Sequence, residues 1–442
     1  MTSRERVIAA LNHEEPDRIP IDFGSHASGS IAALAYFKLK NALGITGGIP
    51  KLYHVWGQIP DIEPAVLDRM HSDTVQLHRY RSSLGIRNVE WKEWELLPGK
   101  KVQVSTEFNP VIDDEGDTCW YEGDTLIAKL PGSRLHGFTL YHSPLRESET
   151  KEAIDAFFDQ PGEGNHISRL RVSDEEAAFL KTESARLRAE SDRAIVGMYG
   201  TVVENAQGIL GWDELFVRLL DDLELTHYFL ERLTTSLEDG LKKYLAAVGD
   251  NIDVIVIGDD LGSQKAPLLS LQLYRETLLP YHKRLIDYIR RNSKAYVLFH
   301  SDGSMMPFFR ELIDAGVQAF NPIQTDAADM DPAIIKRDFG KEITFWGGGS
   351  DTHSVLFKGT PEEVVEDARR RIQIMAPGGG FVFNQIHNIL PETRPRNVIA
   401  LYDYVYEHGH YPIDTGGASL DDLQQRYADY WEHALEQLRA GK

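Results

Sequence analysis

The chain is predicted to be an α/β protein, a (β/α)8 TIM barrel with an insertion after the second strand and a C-terminal helical extension. Two observations predict it. From Ala194 onward, short apolar runs alternate regularly with helical stretches. Those runs end in polar residues, most plainly in Val297-Leu298-Phe299-His300-Ser301-Asp302-Gly303-Ser304. This segment has the form of a buried parallel strand that delivers a His-x-Asp pair into a loop, before an amphipathic run from Met305 to Ala315. In α/β barrels the reactive groups gather at this end of the strands.

Taken in order, Thr2 and Glu5 form a capping box for a first helix reaching Asn12. Arg18 to Gly24 is the expected first strand, followed by the loop Ser25 to Ser30 and a helix to about Leu43. Thr74 to His78 is the second strand. Residues 79–192 break the rhythm with β-like segments at Lys101 to Glu107, Thr118 to Tyr121 and Thr125 to Leu130, then a charged helix from Asp174 to Glu190. This region is expected to be an insertion covering the barrel mouth, within a single domain spanning 1–442. Strands three to eight are expected at Ala194 to Tyr199, Asp253 to Ile257, Ala295 to Phe299, Gln318 to Asn321, Ile343 to Trp346 and Gly380 to Phe383. Thr360-Pro361-Glu362-Glu363 is a helix start with an N-cap threonine and proline at the first turn. Val364, Ala368, Ile372 and Met375 then share one face. Ser419 to Arg439 is expected to be an amphipathic tail helix.

Composition narrows the function classes. The 442 residues are 42% hydrophobic and 26% charged, ordinary for a folded soluble protein. With 47 basic against 68 acidic side chains, the net charge of −21 repels phosphate backbones and anionic lipid. Nucleic acid and membrane are therefore not expected partners. One cysteine, Cys119, excludes an internal disulfide framework and a thiolate-cluster metal site. The N-terminal segment has no signal-peptide apolar region, and no apolar run nears the roughly 18 residues of a membrane helix. A cytoplasmic, reduced protein is expected.

The polar residues beyond each strand should converge if the barrel closes. They are Asp22 and His26, His78, Tyr199, Asp259 and Asp260, His300 and Asp302, Asn321 and Gln324, Asp351 and His353, and Asn384 and His387. Taken singly, such residues more often end strands because loops are wet. His300 and Asp302 can offer an imidazole and a carboxylate to one ion, and His387 a second imidazole across the barrel axis. That donor set suits Zn²⁺ or non-haem Fe²⁺; the bland alternatives are an orienting hydrogen bond for His300 and a helix cap for Asp302. Asp259 and Asp260 form a like-charge pair that supplies a general acid or holds a cation, unless one of them merely caps a turn. Asp351 and Tyr199 complete the candidate catalytic groups, and His26, His78, Asn321, Gln324 and Asn384 the candidate substrate contacts. The run Trp346-Gly347-Gly348-Gly349-Ser350-Asp351 suggests an anion cradle or close approach to a flat ligand.

On these residues the chain resembles the uroporphyrinogen decarboxylase superfamily. The resemblance is carried by Gly258-Asp259-Asp260-Leu261-Gly262, Leu298 to Ser304, Phe345-Trp346-Gly347-Gly348, His387-Asn388-Ile389 and Arg396-Asn397-Val398, with Pro16-Asp17-Arg18-Ile19-Pro20 near the start. It implies one of two chemistries. Decarboxylases of the superfamily act on a tetrapyrrole without metal and hold carboxylates with arginines, yet Ser25 to Ser30 contains none; Arg79 and Arg81 replace them only in part. Corrinoid-linked methyltransferases bind zinc through His-x-Cys and a later Cys; here Asp302 takes the first thiol position and His387 falls near the second. Two imidazoles and a carboxylate leave a harder Lewis acid than thiolates do, matched to oxygen. The expected function is therefore a zinc-dependent methyltransferase of the O-demethylating kind. It passes a methyl group from a small methoxylated substrate to cobalamin on a separate corrinoid protein. The metal is held by His300, Asp302 and His387, with Asp260 or Asp351 as further ligand or acid. A metal-free carboxy-lyase is the alternative, and a carrier without activity the third. A homodimer is the family-level expectation.

Overall fold

Seven parallel strands form one curved sheet. Their order is Phe381–Val382, Thr344–Trp346, Ala319–Asn321, Tyr296–His300, Val254–Gly258, Ala194–Met198 and Thr74–Leu77. The structure, a computed structural model, describes residues 1–132, 137–160 and 170–426. Strands adjacent in sequence are adjacent in the sheet, with helices between them, as an α/β barrel requires.

The expected first strand, Arg18 to Gly24, is not a strand. It is reduced to one parallel bridge between Ile21 and Phe383, which nevertheless closes the ring. Phe383 N–H donates to the Pro20 carbonyl and Asp22 N–H to the Phe383 carbonyl, each at 2.8 Å, while Asp73 N–H donates to the Ile21 carbonyl at 2.6 Å. A longer ladder is prevented locally. Pro20 has no N–H to give, and the Ile21 N–H is taken by the Asp73 carboxylate at 2.8 Å. That fully buried carboxylate also accepts from Arg6 and Arg18.

The two-residue period of the strands sorts their side chains. Val196, Val254, Val256, Leu298, Ala319, Trp346 and Val382 point inward and pack with Val7, Ala10 and Leu11 of the helix Ser3–Leu11. That helix plugs the bottom of the barrel, where the Thr344 hydroxyl donates to the Ala10 carbonyl and the Tyr296 hydroxyl to Asn12. Ile195, Ile255, Val297, Phe299, Phe320 and Phe345 point outward into the helical layer. One step further up, the inward positions are Met198, Gly258, His300 and Asn321. Gly258, His300 and Asn321 lie directly opposite one another across three strands. Gly258 has to be glycine, because a Cβ there would lie 2.1 Å from the His300 carbonyl oxygen.

The capping boxes at Thr2 and Thr360 form as expected, and the helix Asp174–Glu190 begins at its Ser173 cap. Residues between Arg79 and Asp192 include the hairpin Trp91–Leu97 with Lys100–Ser105. They also include a four-stranded antiparallel sheet of Val111–Ile112, Thr118–Glu122, Thr125–Leu130 and Thr139–Leu140. Val102, Val104, Phe108, Trp120 and Ala128 form its own apolar core. The expected tail helix lies largely outside the described residues. No helix among the described residues is long and apolar enough to cross a membrane.

Candidate metal centre

His300 ends its strand pointing inward, and Asn321 on the next strand fixes its ring. The Asn321 amide nitrogen donates to the Trp346 carbonyl at 2.9 Å, so its oxygen faces His300 Nδ1 at 2.7 Å. That oxygen accepts only, so the proton sits on Nδ1 and Nε2 keeps its lone pair. Asp302 Oδ2 lies 3.2 Å from His387 Nε2, while Asp302 Oδ1 is buried without a hydrogen-bond partner. His300, Asp302 and His387 each bring one donor atom to within 4.8 Å of the other two. A lone pair, an unspent carboxylate oxygen and a second imidazole fit a divalent cation.

Three more ionisable groups surround them. The His26 ring centroid is 6.0 Å from that of His300. Its Nδ1 accepts the Gly29 N–H at 3.2 Å, which puts its proton on Nε2. Burial, then the neighbouring His300 and His387, hold this ring neutral, well below the usual imidazole range. Asp260 Oδ1 accepts the Asp302 N–H at 3.0 Å and lies 4.0 Å from His300 Nε2. Burial and then the Asp302 charge raise the Asp260 carboxyl. Glu204 opens onto the cavity. Burial, then Asp260, Asp259 and Asp302, push its carboxyl well above the ordinary range.

His300 and His387 stand in the wall of a cavity of about 740 Å³. Met198, Ile257 and Gly258 come from the strands and Trp212 from a helix. Glu122, Ile127, Thr139 and Leu140 come from the four-stranded sheet between the second and third barrel strands. The described lining is mostly apolar and aromatic and contains no lysine or arginine.

Several expected site residues lie elsewhere. Asp259 is spent on structure. It accepts the N–H groups of Val202 and Glu204 at 2.8 and 2.9 Å, capping the helix Val203–Leu210, and pairs with His282 at 2.7 Å. Tyr199 is turned outward, its hydroxyl 3.0 and 2.9 Å from the carbonyls of Leu170 and Leu237, away from the cavity. Asp351 accepts the His353 N–H at 2.7 Å and groups with Asp326 and His353, not with His300. His78 pairs with Asp61 at 2.8 Å and packs at a tilt against the Tyr53 ring. Gln324 spends both amide ends inside the protein, accepting the Gly303 N–H at 2.7 Å and donating to Gln264 at 2.7 Å. Asn384 ties the Asp22 and Gly29 carbonyls together at 3.0 and 3.1 Å. Asn321 orients His300. The glycine run after Trp346 is packed closely against the protein itself. A Cβ on Gly349 would meet the Phe383 ring at 2.3 Å, and one on Gly348 the Ile323 carbonyl at 2.8 Å. Glu204 was not legible as a site residue, because it lies in the first turn of a helix, beyond the strand end where such residues are sought.

A family model described as Uroporphyrinogen decarboxylase (URO-D) matches residues 157–408. The curated uroporphyrinogen decarboxylase of Chlorobaculum parvum is 25% identical over 187 residues, which is 42% of this chain and 49% of that protein. That of Azoarcus sp. (strain BH72) is 28% identical over 178 residues, 38% of this chain and 45% of that protein. The chain thus spans about half the length of the curated relatives it matches. A solved methyltransferase from Methanosarcina mazei shares the fold with a TM-score of 0.58 at 15% identity, over 92% of this chain and 99% of that one. The family model covers more than half of this chain, including the strands that carry His300, Asp302 and His387, and the chain belongs to the uroporphyrinogen decarboxylase family.

Proposed function

We propose that the protein is a zinc-dependent methyltransferase that demethylates a small methoxylated substrate, with cobalamin on a separate corrinoid protein as acceptor. One observation carries this reading. His300 Nε2, an Asp302 carboxylate with one oxygen unpartnered and His387 converge, and both imidazoles stand in the wall of an apolar cavity without a described cationic side chain. A zinc ion held by these three residues supplies Lewis acidity toward an ether oxygen. Asn321 holds His300 in the tautomer that leaves Nε2 free. Glu204 in the cavity wall and Asp260 beside His300 are raised carboxyls that can give a proton to the departing oxygen. The apolar wall excludes water from the methyl group in transit. The same reading has a homodimer acting in the cytoplasm. Metal analysis of purified protein tests it: one zinc per chain, lost in His300→Ala, is expected.

The second reading, a metal-free carboxy-lyase, is favoured by the names of the curated relatives. Its carboxylate-bearing substrate needs cations that the described main cavity lacks. Arg79 and Arg81 lie in an adjoining cavity, and Arg79 is ion-paired with Glu176. Decarboxylation of uroporphyrinogen by chelator-treated protein would favour that alternative.

A further inference from the structure

A second cavity of about 220 Å³ adjoins the main one, and both have Ala27, His54, Ser83, Met198, Thr201 and Glu204 in their walls. Its wall holds buried polar atoms that have no hydrogen-bond partner. The Asn88 amide nitrogen donates to the Tyr53 and Arg79 carbonyls at 3.0 and 3.3 Å, which fixes the direction of its amide. Its Oδ1 is therefore an acceptor left without a donor. Gln76 Oε1, Ser83 Oγ and the Tyr53 hydroxyl in the same wall also lack partners. Asn88 and Gln76 are each only 8% exposed. A buried polar atom without a hydrogen bond leaves its desolvation uncompensated. Four such atoms around one chamber, which a hydroxyl can meet both as donor and as acceptor, mark a place where a ligand group completes the bonding.

We infer that this chamber is a substrate subsite that takes a neutral hydroxyl-bearing group while the reacting end lies beside His300. The inference rests on the main cavity being the active site. The fixed orphan is an acceptor, so the ligand must donate. A carboxylate would meet the Asn88 and Gln76 oxygens and the Glu204 carboxyl, with Arg79 ion-paired to Glu176 and Arg81 donating to the Gly85 carbonyl. An ammonium would meet the positive charge of Arg81 in the same wall. A hydroxyl meets neither objection. Because the orphan oxygens are already shielded from water, a donor placed there gains a hydrogen bond with little further desolvation on the protein side.

Calorimetric titration of the purified protein with 4-methoxybenzyl alcohol and with 4-methylanisole isolates the hydroxyl, since the two probes otherwise have the same shape. The alcohol is expected to bind roughly ten-fold more tightly. That advantage should fall to two-fold or less in Gln76→Met or Ser83→Ala, with the 4-methylanisole affinity unchanged. Ser83→Ala removes a buried orphan and should leave thermal stability equal or higher; Gln76→Met also removes a contact to the buried Tyr53 hydroxyl, so its thermal stability is measured alongside. Equal affinity for both probes, an advantage retained in both variants, or binding of neither overturns the inference. Zinc content of the same preparation reports separately on the metal centre, so the two failures are distinguishable.

Discussion

His300 Nδ1 lies 2.7 Å from Asn321 Oδ1, and this contact decides which imidazole nitrogen is left to bind an ion. Both residues are products of strand register, paired directly across neighbouring strands. Asn321→Leu removes the acceptor and frees the ring to rotate or change tautomer. Metal affinity should fall by roughly 10–100-fold, read by competition with a chromophoric chelator, with far-ultraviolet circular dichroism unchanged.

Barrel closure depends on Asp73. Its carboxylate joins Arg6, Arg18 and the Ile21 N–H where a strand ladder is missing. Asp73→Ala leaves two guanidinium groups partly uncompensated and should cost about 3–5 kcal/mol in urea denaturation. A loss below about 1 kcal/mol would mean that the closing segment is held by its backbone bonds alone.

The barrel itself was legible because its signals are periodic. Inward and outward positions alternate along every strand from Ala194 on, and the cap sequences at Thr2 and Thr360 are local chemistry. The Arg18 to Gly24 segment misled, because a buried carboxylate 52 positions from Ile21 took the N–H that a strand would use. The metal candidates were readable from residue type and strand ends. The acids were not: Asp259 and Asp260 look alike in sequence, and only the helix N-terminus and His282 separate them. The chamber sets Gln76 of the second barrel strand against Ser83 and Asn88, whose side-chain directions depend on an insertion whose path no motif specifies.

Glu204 should be the proton donor whose loss is felt in turnover. Glu204→Gln keeps the shape and removes the titrating proton, so kcat should drop by roughly 10²–10⁴ with KM little changed. Activity that depends on the protonated carboxyl is lost as pH rises through its raised pKa. The alkaline limb of the profile should therefore disappear in the variant.

His353 offers a pH prediction outside the candidate centre. Its hydrogen bond to Asp326, with Nδ1 at 2.9 Å, raises the imidazole above its ordinary value. The pair therefore stabilises the fold below the unfolded imidazole pKa, and the contribution is lost as pH rises through the raised one. In proton NMR titration Asp326→Asn should bring His353 back down. An unchanged midpoint would show that Asp326 is not the cause.

The most direct test is the metal content and coordination of the purified protein, by elemental analysis and X-ray absorption, beside His300→Ala and His387→Ala. The account predicts about one zinc per chain, bound by nitrogen and oxygen donors without sulfur, and lost in both variants. Wild-type protein without stoichiometric metal after zinc loading, or variants that retain it unchanged, would contradict it.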